Sequence, residues 1–195
     1  MSDLFDEPDD ATPLEPEERE GLLPTWITYR SELNQAEQAN ITAGATWARR
    51  DRHQDILTEA YLRKLHEKMF GEVWTWAGDF RRAERNIGID PARIPVELRT
   101  ALDDARYWVE HEAYSPDELA VRMHHHLVAI HPFPNGNGRV ARLMADLLVA
   151  RLGGEPFTWG RGSLADVGQV RTRYIEALRA ADRHDVAQLI EFARS

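Results

Sequence analysis

The stretch His131-Pro132-Phe133-Pro134-Asn135-Gly136-Asn137-Gly138-Arg139-Val140-Ala141-Arg142 concentrates more chemistry than any other part of this 195-residue chain. A histidine stands just ahead of a Gly-Asn-Gly turn, and the residues after the turn start an apolar helical run. Backbone N–H groups at such a turn and helix N-terminus form an anion site, and glycine lets the backbone approach a phosphate closely. Arg139 and Arg142 are three residues apart, so both side chains reach one face of the helix. A histidine at this place has two readings. It can satisfy the last carbonyls of the preceding helix, or it can act as a base. Gly136-Asn137-Gly138 likewise reads as an ordinary helix cap or as a phosphate cradle. The proximity of base, cradle and two guanidinium groups favours chemistry on a phosphorylated ligand. Phe133 reads as a core residue that pins the loop in either case.

The stretch resembles the Fic motif, His-x-Phe-x-(Asp/Glu)-Gly-Asn-Gly-Arg-x-x-Arg. It matches at His131, Phe133, Gly136, Asn137, Gly138, Arg139 and Arg142, and departs at Asn135, where the family usually has an acid. The resemblance runs from about residue 22 to the C-terminus and takes in Trp76-Ala77-Gly78 and Tyr174-Ile175-Glu176-Ala177-Leu178. The segment Glu32-Leu33-Asn34-Gln35-Ala36-Glu37-Gln38-Ala39-Asn40-Ile41 is similar to the Fic subgroup called mobile mystery protein B. The resemblance implies a mainly α-helical Fic-type domain, with a central helix pair around the motif loop and a small β-hairpin flap. It implies protein AMPylation, in which AMP passes from ATP to a hydroxyl side chain of a target protein. His131 is then the catalytic base, and Gly136, Asn137, Gly138 and Arg139 hold phosphates, with Arg142 at the γ-phosphate. Asn135 takes the Mg²⁺ position, where its neutral carbonyl is a weaker ligand than a carboxylate. Rival readings are a catalytically weak regulatory nucleotide-binding module and transfer of another phosphate-bearing group.

Outward from the motif, most of the chain reads as helix. One candidate spans about 31–49, with Ser31 as N-cap. A second spans 55–70, with Leu57, Tyr61, Leu65 and Met69 at four-residue spacing and Gly71 as stop. A third runs from about 95 to 111 through Leu98, Leu102, Ala105 and Val109. Ser115, Pro116 and Glu118 start a fourth with a capping box, followed by Ala120, Met123, Leu127 and Ile130 on its apolar face. The fifth begins near Gly138 and is too densely apolar for a surface helix, so it reads as central; Gly153-Gly154 ends it. Two more are expected over about 164–181 and 186–194, the last capped by Asp185 and Gln188. Residues 78–95 carry Gly78, Asn86, Gly88, Pro91 and Pro95 and no helical stripe, and read as a loop or short hairpin. In Fic-like proteins this region corresponds to a flap that lays a target segment across the active site. Arg81, Arg82 and Arg85 on it read as solvated.

Glu37 sits on the apolar stripe of the first helix, four residues from both Leu33 and Ile41, so its carboxylate needs a partner. The resemblance implies more: many Fic proteins carry an inhibitory helix whose glutamate pairs with the second motif arginine, here Arg142, and blocks the γ-phosphate site. Leu33 and Gln38 depart from that helix's usual pattern. His124-His125-His126 does not read as a metal site. Consecutive helical side chains point about 100° apart, and His124 is expected to face inward and support the loop. The tryptophans at 26, 47, 74, 76, 108 and 159 read as core and interface residues.

The chain has no cysteine, which excludes disulfides and thiolate metal sites. Its net charge is −9, but residues 1–20 hold −8 of it, leaving −1 for the rest. That gives an acidic tail over 1–21, expected to be mobile, and the resemblance implies a Fic domain over 22–195. A nearly neutral body gives no expectation of direct nucleic-acid binding. With no apolar run long enough for a membrane span and no signal peptide visible, a cytoplasmic protein is expected. The partners are then ATP and a target protein that the sequence does not name, and a homo-oligomer stays open.

Overall fold

The computed structural model describes residues 13–15, 19–50, 54–161 and 167–195. Among these, the elements are α1 (Arg30–Arg50), α2 (Glu59–Phe70), α3 (Ile94–Glu110), α4 (Pro116–Ile130), α5 (Asn137–Arg151), α6 (Val167–Ala181) and α7 (Ala187–Arg194). A 3-10 turn at Pro91–Arg93 leads into α3. The mainly α fold class follows. Helix α4 packs along α5, α1 along α2, α3 against α4 and α6 against α7. The central pair is therefore α4 and α5, with the 131–136 loop between them.

Helix α5 is buried on almost every side: Val140, Ala141, Leu143, Met144, Ala145, Leu147, Leu148 and Val149 all lie in the core. That burial makes it the axis of the domain. Helix α4 starts as its sequence dictates. The Ser115 hydroxyl accepts a hydrogen bond from the Glu118 N–H, and Pro116 occupies the first turn, where no N–H is needed.

Three helix starts differ from the expected ones, each because another residue caps. Ser31 lies inside α1; Glu32 reaches back, and its carboxylate accepts from the N–H groups of Thr28 and Tyr29 at 2.7 and 3.0 Å. Helix α2 begins after Thr58, whose hydroxyl accepts from the Tyr61 N–H, so Leu57 is buried but precedes the helix. At α7 the cap is Val186, and Asp185 accepts from the Ala187 N–H in place of the expected box with Gln188.

Helix α1 lies unusually close to α2. A Cβ at Gly44 would stand 2.7 Å from the Lys68 carbonyl oxygen, so only glycine fits. Asn40 then closes the end of α2: its side-chain N–H donates to the Lys68 carbonyl, and its oxygen accepts from the Glu72 N–H. One turn earlier on the same face is Glu37.

No strand forms among the described residues; isolated bridges join Pro13 to Tyr29 and Leu22 to Trp74. The segment 78–90 is a loop, one of the two forms expected of it, and forms no hairpin ladder. Arg81 ties it together, its side chain donating to the carbonyls of Ala83 and Ile89. Of the tail expected over 1–21, residues 1–12 and 16–18 lie outside the described residues, as do 164–166 at the expected start of α6. Leu14 is buried, and its N–H donates to the Thr28 carbonyl.

Candidate active site

The loop between α4 and α5 is shaped by its own residues first. Phe133 is fully buried. The Asn137 side chain closes the turn around it, accepting from the Phe133 N–H and donating to the Phe133 carbonyl, both at 2.8 Å. Gly136 has φ +76°, and a Cβ there would meet the Phe70 ring at 2.5 Å, so backbone and packing both demand glycine. Gly138 is different: a Cβ on it would have only the Arg142 guanidinium nearby, at 3.7 Å. The fold leaves space above the first turn of α5, where backbone N–H groups are unpaired by geometry. That space suits an anion.

Behind the loop stands His66 of α2, which the sequence reading missed. It is fully buried and stacks on Phe133 with ring centroids 3.8 Å apart. Its Nδ1 accepts from the Gly78 N–H at 2.9 Å, which fixes the hydrogen on Nε2. Nε2 then donates to the Asn135 carbonyl at 3.0 Å. One neutral imidazole thus joins the Trp76-Ala77-Gly78 turn to the motif loop. Burial first, and then the Arg139 charge, holds its pKa down to about 4.

His131 ends α4 in the left-handed conformation, φ 54° and ψ 59°. It lines a cleft of about 840 Å³ with Trp74, Trp76, Asn135 and the loop residues Arg85 and Ile87; Glu20 stands at its edge. Its Nδ1 is buried without a well-formed hydrogen bond, leaving Nε2 as the nitrogen for the cleft. Burial lowers its basicity most; the Val128 carbonyl opposes this, and the positive charges of Arg81 and Arg85 add to the lowering. These effects together favour the neutral form of the ring, the form that can take up a proton.

Asn135 lines the same cleft, but its side-chain oxygen already accepts from the Gly136 N–H at 2.7 Å. Arg139 lies over the Phe70 ring, 5.0 Å from its centroid, and its guanidinium pairs with the Glu37 carboxylate at 2.9 Å. The other Glu37 oxygen accepts from the Trp74 indole N–H at 2.6 Å. The ion pair thus runs to the first motif arginine, where Arg142 was expected. Arg142 follows one turn later and is buried; burial pushes the pKa of the Tyr174 hydroxyl up to about 12, and the nearby Arg142 charge opposes this. Tyr174 in turn shares a 3.0 Å hydrogen bond with His124 Nε2.

The three consecutive histidines diverge. His124 is buried beside Trp159 and Tyr174, His125 meets Asp182 at 2.8 Å, and His126 lies edge-on to Trp108. His124 does face inward, and burial drives its pKa down to about 3. Of the tryptophans, Trp74 and Trp159 are buried and Trp26 is 63% exposed. Arg81, expected to be solvated, is buried.

The neutral histidines make a stability prediction. His66 and His124 take up protons in the unfolded chain as pH falls through 6.5, but in the folded chain only near 4 and 3. Their contribution is complete above pH 6.5 and is lost as pH falls through the window below it. Each adds a slope of up to about 1.4 kcal/mol per pH unit. Urea midpoints should stay nearly level from pH 7.5 to about 6.5 and fall from there to pH 5; a profile flat throughout would show that neither ring is held neutral.

A helical domain with a histidine and a glycine-rich turn between its two central helices defines the class of fold. Among solved structures, the chain resembles a BepC protein, a VirB-translocated Bartonella effector from Bartonella tribocorum with bound AMPPNP. The TM-score is 0.68 at 18% identity, covering 90% of this chain and 95% of that one. Residues 56–149 match the Fic/DOC family. The chain is 28% identical over 142 residues to the protein adenylyltransferase Fic of Aedes aegypti, covering 71% of this chain and 27% of the relative. It is 30% identical over 133 residues to the Drosophila virilis protein of the same name, covering 66% and 26%. It spans about a quarter of the length of these relatives. With the motif formed as described, residues 56–149 are a Fic/DOC-family domain. No helix among the described residues is long and apolar enough to cross a membrane.

Proposed function

We propose that the chain is a protein adenylyltransferase that moves AMP from ATP to a hydroxyl side chain of a target protein. The observation that carries this reading is the half-buried His131 in a cleft beside a turn with open space above Gly138. A hydroxyl oxygen entering the cleft attacks the α-phosphorus. Its proton passes to His131 Nε2, the bond from the α-phosphorus to the β-phosphate oxygen breaks, and pyrophosphate leaves. The backbone at Gly136, Asn137 and Gly138 receives phosphate oxygens, and Arg139 and Arg142 stand on the helix face that follows. Arg142 is the γ-phosphate arginine of this reading. The names of the Aedes and Drosophila relatives and the AMPPNP in the Bartonella structure support it.

Mg²⁺ fits with one reservation of chemistry. Asn135 is the protein oxygen at the expected position, neutral and already bonded to the Gly136 N–H, so phosphates and water must supply most of the coordination. When bound, the ion would neutralise phosphate charge. The Glu37–Arg139 pair supports a restrained enzyme, because the carboxylate takes a guanidinium that phosphate needs. The same pair, with Asn135, favours the second reading of a weak, regulatory nucleotide-binding module.

Purified protein incubated with host lysate and ATP labelled at the α- or the γ-phosphate separates these readings. Protein bands should retain the α-label and not the γ-label. Retention of the γ-label means phosphoryl transfer, and ATP binding with neither label retained means a binding module.

A further inference from the structure

Arg81 lies in the loop before α3, is 4% exposed, and its guanidinium is spent on backbone carbonyls. Nε donates to the His131 carbonyl at 2.6 Å and one terminal nitrogen to Ala83 at 3.1 Å. The other donates to Ile89 and, at 3.4 Å, to Ile130. Its backbone N–H donates to the Pro132 carbonyl at 2.9 Å. Three consecutive carbonyls at the end of α4, those of Ile130, His131 and Pro132, therefore converge on one residue.

Two physical facts give this arrangement meaning. The last carbonyls of a helix lack partners and carry partial negative charge, so a buried guanidinium is a fitting counterpart. A left-handed histidine is disfavoured on its own and persists only where its surroundings over-determine it. Gly88 completes the enclosure: a Cβ there would stand 2.6 Å from the His131 Cβ and 2.7 Å from the Arg81 guanidinium.

We propose that Arg81 is a positioning residue for the transfer step: it fastens the loop to the end of α4 and holds His131 in the left-handed turn that aims its ring into the cleft. The inference rests on His131 being the base. Arg81's bonds are to α4 and its own loop, so nucleotide binding should not depend on it. The charged groups around the His131 ring are Arg81 and Arg85 from the loop, with Glu20 of the N-terminal segment on the same cleft.

The test uses the full chain with Arg81→Met, Arg81→Lys and, in parallel, His131→Ala. Transfer from α-labelled ATP is measured per nucleotide-bound protein, with ATP affinity by calorimetry, the pH profile of kcat/KM, and the NMR Cα shift of His131. In Arg81→Met, transfer should fall about ten- to a hundredfold, the scale of a misaimed catalytic group. ATP affinity should stay within about twofold, because Arg81's bonds lie off the phosphate-binding turn. The acid limb should move to higher pH because a positive neighbour is gone. Lysine keeps the charge and loses the fork, so it should restore the acid limb while leaving the rate low. The His131 Cα shift should leave its left-handed value in both variants, a readout that needs no turnover. Unchanged transfer per bound nucleotide in either variant overturns the proposal, as does a lower melting point with the His131 shift unmoved. Undiminished transfer by His131→Ala removes the base reading itself, a result distinct from any obtained with Arg81.

Discussion

Replacing His131 with alanine is expected to lower label transfer by at least about a hundredfold, the usual range of a lost general base. ATP affinity should change little. The turn proposed to receive the phosphates is built by Asn137, Phe133 and His66, none of which depends on the His131 ring. The melting temperature should hold too, since the ring forms no good hydrogen bond through Nδ1. The substituted residue still has to adopt φ 54°, at a cost of about 1 kcal/mol that histidine also bears. Calorimetric ATP titration beside the labelled transfer assay gives the answer. Undiminished modification at equal protein concentration would take His131 out of the mechanism.

Changing Glu37 should move activity in the opposite direction. In Glu37→Gly the Arg139 guanidinium is released for phosphate, and a charge-assisted contact of that kind is worth about tenfold or more in ATP affinity. The loss falls on the fold: the Trp74 indole N–H loses its acceptor and Arg139 loses this carboxylate. The stranded indole N–H costs about 1–3 kcal/mol, and a mid-helix glycine adds about 1 kcal/mol. Glu37→Gln separates the two effects. Its amide oxygen still accepts from Trp74 while the negative charge is gone, so it should keep most of the stability and show the same gain. If both variants melt lower without gaining ATP affinity or label transfer, Glu37 is a structural partner of Arg139 and Trp74 and restrains nothing.

What was legible in the sequence followed from local rules. The α4 start needed only Ser115, Pro116 and Glu118, and the centrality of α5 only its apolar density. Phe133 and the glycine turn came from the motif, and the buried carboxylate of Glu37 from its place on a stripe. The same stripe argument was available for His66, which shares a helix face with Leu62, Met69 and Phe70, all buried. A polar residue there needs partners, and His66 has them in Gly78 and Asn135. Arg81 had no such signal. It lies in coil, where no periodicity separates a buried guanidinium from the solvated ones at 82 and 85. The partner of Glu37 was not readable either, because Arg139 and Arg142 share a helix face and the choice depends on how α1 lies over α5. Helix α1 hid its buried face for a related reason: Asn40, Gly44 and Ala48 make a close seam with α2 without looking apolar.

The tie between His66 and the Asn135 carbonyl spans 69 residues of chain. That separation bears on how the nucleotide site comes into being. Closing so long a segment costs chain entropy before any contact rewards it, and native contacts distant in sequence slow the approach to the folded state. A peptide of residues 131–142 carries every motif side chain but lacks the imidazole on which Phe133 and Asn135 rest. The turn is therefore expected to form late, once α2 has docked on α5, and a nascent chain that has just emitted the motif should not yet hold the nucleotide proposed for it. Under the proposed function, added ATP should then raise the melting temperature of the finished molecules by mass action.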